Sequence, residues 1–333
     1  MKLLILGGTK FLGRHLVEEA MKRGHEVTIF TRGKTNGAIF DNVEKLKGDR
    51  DGDISILKGR KWDAVIDTSG YVPRIVKESA TLLSTTCKVY TFISSISVYK
   101  DFSHSGITED AEVATLDDES VEEITGETYG ALKALCEQEV KKVFPEGHLI
   151  IRPGLIVGPY DPTDRFTYWP MRIGGGDEVV VPEDKDAPVQ FIDARDLSCF
   201  IIQQLEKKTI GTFQVTGPKD TLTMGEFLDE TKDLINPSVK FTSVEDDFFE
   251  ENGIQYWKDI PLYIPKGKNM DGFSAVNIEK AIQYGLTCRP ISETITDTYA
   301  WKNSESPGEE LVVGLTKSKE KEILELWKEL KTS

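Results

Sequence analysis

Positive charge is in deficit along this chain. Lysine and arginine number 41 against 56 aspartates and glutamates, a formal net charge of −15 over 333 residues. Such a balance argues against a broad nucleic-acid or anionic-membrane surface, since both need clustered cations. It leaves room for a local basic pocket that takes a phosphorylated small molecule. Cysteine is scarce as well. Cys87, Cys136, Cys199 and Cys288 lie far apart with no C-x-x-C pair, so reduced structural thiols in a cytoplasmic protein are expected, not a disulfide framework. His15, His25, His104 and His148 lack metal-ligand spacing, and no metal is expected. No apolar run approaches the length of a bilayer span. The first strand pattern begins at Lys2, so no signal peptide is expected ahead of it.

What is present is an ordinary globular mixture, 39% apolar and 29% charged, long enough for one large or two modest domains. Strand and helix patterns alternate through the first half. Lys2–Leu6, Glu26–Phe30, a weak Val43–Lys47, Ala64–Asp67, Lys88–Ser94 and Leu149–Arg152 read as strands. Phe11–Arg23, a short Asp53–Lys58, Arg74–Ser84 and Glu127–Val143 read as helices. Short links between alternating elements imply right-handed crossovers and an α/β, Rossmann-type doubly wound parallel sheet. Ligands of such sheets bind beyond the carboxyl ends of the strands.

After Pro153 the pattern loosens into glycine- and proline-rich segments such as Gly158–Asp164 (GPYDPTD) and Arg172–Glu178 (RIGGGDE). The expected division is a dinucleotide-binding domain over 1–153 and a smaller, discontinuous, mainly substrate-binding domain over 154–333 that returns to the first. Ser318–Leu330 is amphipathic, with Ile323, Leu324, Trp327 and Leu330 on one face, and reads as a docked terminal helix.

Three motifs carry chemistry. The stretch LLILGGTKFLG, Leu3–Gly13, outlines a dinucleotide turn, but Lys10 stands where G-x-G-x-x-G has its middle glycine. The helix beginning near Phe11 presents free N–H groups and a positive dipole end, which suit a phosphate. A lysine there is unfavourable unless a bound pyrophosphate reverses the electrostatics, so Lys10 reads as a phosphate contact. The second strand runs into Thr31-Arg32-Gly33 with no carboxylate for a ribose 2′-hydroxyl. Arg32 can engage a 2′-phosphate with paired hydrogen bonds, which favours NADP. Tyr129-Gly130-Ala131-Leu132-Lys133 is a Y-x-x-x-K on the long helix, following a strand that ends in Ser94-Ser95-Ile96-Ser97-Val98-Tyr99. Residues four apart share a helix face, and a nearby ammonium is expected to lower the phenol's pKa and make it an acid–base group.

With these motifs the chain resembles a short-chain dehydrogenase/reductase of the extended or atypical kind, the group that includes NAD(P)-dependent sugar epimerases and dehydratases. The likeness runs through GDRD (Gly48–Asp51), WDAVIDTSGY (Trp62–Tyr71), FISSISVY, YGALK, IRPGLIVGPYDPTDRF and FIDARDLS. It implies Ser95, Tyr129 and Lys133 as catalytic residues, with Lys133 also on the cofactor ribose. It implies a dinucleotide held by Gly7, Thr9, Lys10, Phe11, Leu12, Gly13 and Thr68. Asp49 would contact adenine with Arg50 beside it, and the Pro153-Gly154-Leu155 turn would line the nicotinamide. One departure stands out: Tyr71–Thr86 contains no asparagine, so the usual fourth member of the catalytic set is missing.

The implied activity is an NADP-dependent oxidoreductase, epimerase or dehydratase working on a hydroxyl or carbonyl of a small polar substrate, with nucleotide sugars as the class. Arg165, Arg172, Arg195 and Arg289 are candidates for its anionic group, although ion pairs within the protein are the default for each. Asp161–Trp169 is the candidate substrate loop. No nucleic-acid or membrane partner is expected, and a homodimer is left open. The competing reading is an NADP-binding sensor or RNA-associated factor without turnover; the missing asparagine favours it, while the charge and the intact Ser95, Tyr129 and Lys133 oppose it.

Overall fold

Alternation fails at the first strand: Leu3, Leu4, Ile5 and Leu6 are all fully buried, which marks a strand covered on both faces. In the computed structural model, which describes residues 1–305, 308 and 310–332, that strand is β1 (Lys2–Leu6). It is followed by α1 (Phe11–Lys22), β2 (Glu26–Thr31), β3 (Glu44–Lys47), β4 (Ala64–Asp67), α2 (Pro73–Leu83), β5 (Val89–Ile93), α3 (Tyr129–Val143) and β6 (His148–Pro153). Asp53–Lys58 contains only a 3₁₀ turn, Ser55–Leu57.

Beyond Pro153 come β7 (Leu155–Val157), α4 (Tyr168–Gly174), β8 (Glu178–Pro182), β9 (Pro188–Val189), β10 (Phe191–Asp193), α5 (Ala194–Glu206) and β11 (Gly211–Val215). The chain continues through β12 (Leu222–Thr223), α6 (Met224–Ile235), β13 (Lys240–Val244), α7 (Asp246–Glu251), α8 (Glu279–Gln283), α9 (Ile291–Glu305) and α10 (Lys317–Thr332).

Seven strands form one parallel sheet in the order β11-β6-β5-β4-β1-β2-β3. Strand order reverses between β1 and β4, so a crevice opens there at the carboxyl ends. On one face α1 and α5 bury Leu12, Leu16, Val17, Phe200 and Ile201. On the other, α2 and α3 bury Val76, Ala80, Leu83, Cys136 and Val140 against Tyr90 and Phe92. Each of the large aliphatic side chains contributes about 1.5–3 kcal/mol by leaving water.

The remaining strands pair in three small sheets, β10 with β7, β12 with β9 and β13 with β8. Around them lies a separate core that includes Phe166, Trp169, Phe227 and Phe249. Helix α10 docks on this core through Ile323 and Trp327, whose ring centroid lies 4.8 Å from that of Phe248. Leu330, expected on the same face, is 55% exposed; the apolar stripe of α10 is narrower than the sequence pattern suggested. Among the described residues no helix is long and apolar enough to cross a membrane.

Candidate active site

The turn after β1 is built from what its glycines permit. Gly7 and Gly8 take φ of 112° and 97°, values that a side chain disfavours. A Cβ on Gly7 would stand 2.3 Å from Thr68 Oγ1, and one on Gly13 would stand 2.6 Å from the Gly8 nitrogen. The glycines therefore let α1 and the end of β4 close on the turn. Gly7 N–H donates to Phe30 O, and Asn36 Nδ2 donates to Thr9 O at 2.9 Å, tying the turn to β2 and the loop after it. Lys10 is exposed and extended, with φ −126° and ψ 143°, and no side chain caps the first turn of α1. Phe11 sits at φ 34°, a strained value for an L-residue. An uncapped helix start behind a glycine cradle fits a pyrophosphate. Arg32 is exposed, and among the described residues it forms no ion pair.

The second part of the site grows from α3. The sequence pattern starts this helix at Glu127; the structure starts it at Tyr129. Thr125 and Thr128 exchange side-chain hydrogen bonds with each other's backbone N–H groups, a local competitor to helix. Tyr129 is thus the first helical residue. A Cβ on Gly130 would meet Ser97 O at 2.0 Å, so only glycine lets α3 rest on the 3₁₀ turn Ile96–Val98. Ser95 caps that turn, accepting from Ser97 N–H at 3.0 Å. Its hydroxyl faces the Tyr129 phenol and favours ionisation there. Arg152 of β6 locks the arrangement from behind. It donates to both carboxylate oxygens of buried Glu137 on α3 and to Tyr99 Oη.

Lys133, only 3% exposed, donates through Nζ to Gly70 O at 2.7 Å and Ile93 O at 2.8 Å. Burial lowers its pKa to about 8. Tyr129 does not follow the expectation of a lowered phenol. Its pKa is raised to about 12, first by burial and then by neighbouring Tyr71, against the lowering from Ser95. The reason is distance: the Lys133 ammonium, held by carbonyls, lies 6.0 Å from the Tyr129 ring centroid. Tyr71 is the side chain that the sequence reading did not place here. Its ring lies 6.4 Å from that of Tyr129 and 4.5 Å from Lys133 Nζ. The available signal was an aromatic four residues past the carboxyl end of β4.

Other expected residues scatter. Arg50 points away from the turn. Its guanidinium turns inward onto Asp67 Oδ2 (2.8 Å) and Ser79 Oγ (2.7 Å), and Tyr90 Oη also donates to Asp67. With Asp67 fully buried, Arg50 is the countercharge that makes this burial tolerable. Asp49 beside it is exposed, with its N–H bonded to Asp53 O. Leu12 and Pro153 are buried, and Leu155 is half-buried at the start of β7.

Arg172, Arg195 and Arg289 pair with Glu320, Asp193 together with Asp297, and Asp196, respectively. Arg165 makes no ion pair among the described residues and lies 5.9 Å from the Trp257 ring. In the candidate loop, Phe166, Tyr168 and Trp169 are core, and Asp161 is 1% exposed. Burial raises its carboxyl to about 7, against the lowering by hydrogen bonds from Thr163. A concavity of about 710 Å³ lies elsewhere, between Pro218–Leu222, α6 and Leu286–Arg289. Among the described residues no cluster could hold a metal.

A parallel sheet that reverses order at a glycine turn, with serine, tyrosine and lysine gathered at the neighbouring strand ends, places the chain among NAD(P)-dependent enzymes of the short-chain dehydrogenase/reductase type. Residues 3–215 match the model of the NAD dependent epimerase/dehydratase family, and the chain belongs to that family. The match ends with β11, the strand that closes the sheet. The chain is also 30% identical over 240 residues to the chloroplast stem-loop binding protein of 41 kDa b of Arabidopsis thaliana, an alignment covering 66% of this chain and 59% of that protein.

Among solved structures, UDP-glucuronic acid 4-epimerase from Bacillus cereus, in complex with NAD, superposes with a TM-score of 0.67 at 16% identity, covering 94% of this chain and 100% of the other. UDP-N-acetylglucosamine 4-epimerase from the same organism gives 0.65 at 16%, covering 90% and 98%. At such identities the likeness is one of fold.

Proposed function

We propose that this protein is an NADP-dependent oxidoreductase, epimerase or dehydratase that acts on a hydroxyl or carbonyl of a small polar substrate, with nucleotide sugars as the substrate class. One observation carries the reading: Ser95, Tyr129 and Lys133 converge beside the glycine turn, where Thr68 touches Gly7 and Gly70, two residues on, holds Lys133. The nicotinamide would supply or accept the hydride. The free backbone N–H groups at the start of α1 would hold the pyrophosphate, with Lys10 beside them, and Arg32 would hold a 2′-phosphate. Asp49 would meet adenine and the Pro153–Leu155 turn the nicotinamide. Tyr129, a neutral phenol at rest, is suited to give a proton to a substrate carbonyl oxygen, with Ser95 hydrogen-bonding the same atom. Taking a proton would require a cation closer than Lys133 now stands. Arg165 over Trp257 supports a place for the substrate's anionic part. A cytoplasmic homodimer belongs to this reading.

The likeness to a stem-loop binding protein favours a second reading, an RNA-associated cofactor-binding protein without turnover; the net charge of −15 opposes it. Titration with NADPH, NADH and an RNA stem-loop separates the two. The expected result is NADPH tighter than NADH by about 1–3 kcal/mol, a preference erased in Arg32→Ala, and no RNA binding at physiological salt. Tyr129→Phe should keep the dinucleotide affinity and lose roughly 100-fold or more in turnover of a nucleotide sugar. Equal affinity for both dinucleotides would refute the NADP assignment, and full activity in Tyr129→Phe would refute the catalytic one.

A further inference from the structure

Lys133 is a buried cation, and among the described residues it forms no ion pair with a carboxylate. An ammonium has three donors; two go to the Gly70 and Ile93 carbonyls, and among the described residues the third has no partner. Rings cover its flanks, with Tyr71 at 4.5 Å, Phe92 at 4.9 Å and Tyr129 at 6.0 Å. Phe92 is fully buried within β5, and Tyr129 is fixed at the start of α3. Tyr71 differs from both. It lies outside any helix or strand and is 42% exposed, and among the described residues its hydroxyl has no hydrogen bond. Nothing in the core requires an aromatic there. What its ring does touch is the ammonium, an attraction worth about 0.5–2 kcal/mol, and the Tyr129 ring.

We propose that Tyr71 is a positioning residue for Lys133: its ring closes the solvent side of the ammonium and, with the adjoining Gly70 carbonyl, holds the cation beside Tyr129. This inference rests on the reading of Lys133 as a site residue. The chain holds the ammonium with a main-chain carbonyl and the face of a ring from consecutive residues, Gly70 and Tyr71. The two bonded N–H groups fix the ammonium, and the third stays available to a ribose hydroxyl. Removing the ring admits water, which solvates the charge and frees the side chain to leave the carbonyls.

The charged and titratable groups near Lys133 besides the two phenols are Asp67, Arg50, Cys136 and Glu137. All of them stay unchanged when only Tyr71 is varied, so a titration of Lys133 reports the cover. The experiment is NMR titration of isotopically labelled lysine side chains in the full chain, with Lys133 assigned by its loss in Lys133→Met, alongside NADPH binding. Wild type should titrate far below an ordinary lysine, near 8. Tyr71→Ala should shift that midpoint upward by about one unit or more and weaken NADPH binding roughly 10-fold, while Tyr71→Phe keeps both near wild type. A Tyr71→Ala variant with unchanged midpoint and affinity overturns the proposal, as does a Tyr71→Phe variant that behaves like Tyr71→Ala. Unchanged NADPH affinity in Lys133→Met would refute the reading of the site instead, and the titration would still decide the role of Tyr71.

Discussion

Lys10 shows how much one residue can ask of its surroundings. With φ at −126° the position needs no glycine, because an L-residue takes this conformation freely. The turn's conformational demand falls on Gly7 and Gly8 before it and is borne as strain by Phe11 after it. A lysine at the positive end of α1 is unfavourable by itself and favourable with a pyrophosphate present. Lys10→Gly should therefore weaken NADPH binding about 3- to 10-fold at low ionic strength, and the loss should shrink as salt screens the contact. Lys10→Glu should bind worse still. Titrations at low and high salt check this, and tighter binding by Lys10→Gly at both would show that the lysine only obstructs. Arg50 carries the opposite lesson: a cation next to an expected adenine contact spends its charge on Asp67.

At the scale of elements, the site depends on one close contact between α3 and the 3₁₀ turn after β5. Both sides of the Gly130–Ser97 approach are backbone, so neither can rotate away from an added methyl. Gly130→Ala should destabilise the fold by about 1–3 kcal/mol through overpacking and separate Tyr129 from Ser95, abolishing turnover while dinucleotide binding persists. Gly126→Ala is the control, since a Cβ there meets nothing within 4 Å. Thermal unfolding and activity of the two variants test the contact; equal behaviour would show that α3 tolerates a shift. The sequence placed the elements of the first half within a few residues because buried parallel strands and amphipathic helices leave strong periodic signals. It missed the late start of α3, where two threonine side chains outcompete the first helical turn.

For the molecule as a whole, α10 closes the second core with an unusual fastening. Glu320 is 1% exposed and accepts from Arg172 and from Val180 N–H. Burial raises its pKa, while those two donors oppose the rise. Removing its carboxylate leaves the half-buried Arg172 guanidinium with the Glu178 carbonyl but no countercharge, and the Val180 N–H without its acceptor. Glu320→Ala should therefore cost about 3–5 kcal/mol, whereas Leu330→Ala should stay within about 0.5 kcal/mol. Urea unfolding of the two variants measures both, and a Glu320→Ala stability close to wild type would show that α10 is only loosely attached.

By itself the sequence determined the parallel α/β fold and the glycine turn and singled out Tyr129 and Lys133 as candidates, because each is written in local spacing: apolar runs, a glycine five residues past another, a tyrosine four before a lysine; Ser95 came from the family resemblance. Only the tertiary structure decided the rest. It closed the sheet with β11, turned Arg50 onto Asp67, buried the aromatics of 166–169 in a second core and hung Lys133 between two carbonyls under the ring of Tyr71. Those outcomes depend on which distant groups meet in a low-dielectric interior, where a charge is stabilised or penalised according to neighbours that no local pattern records.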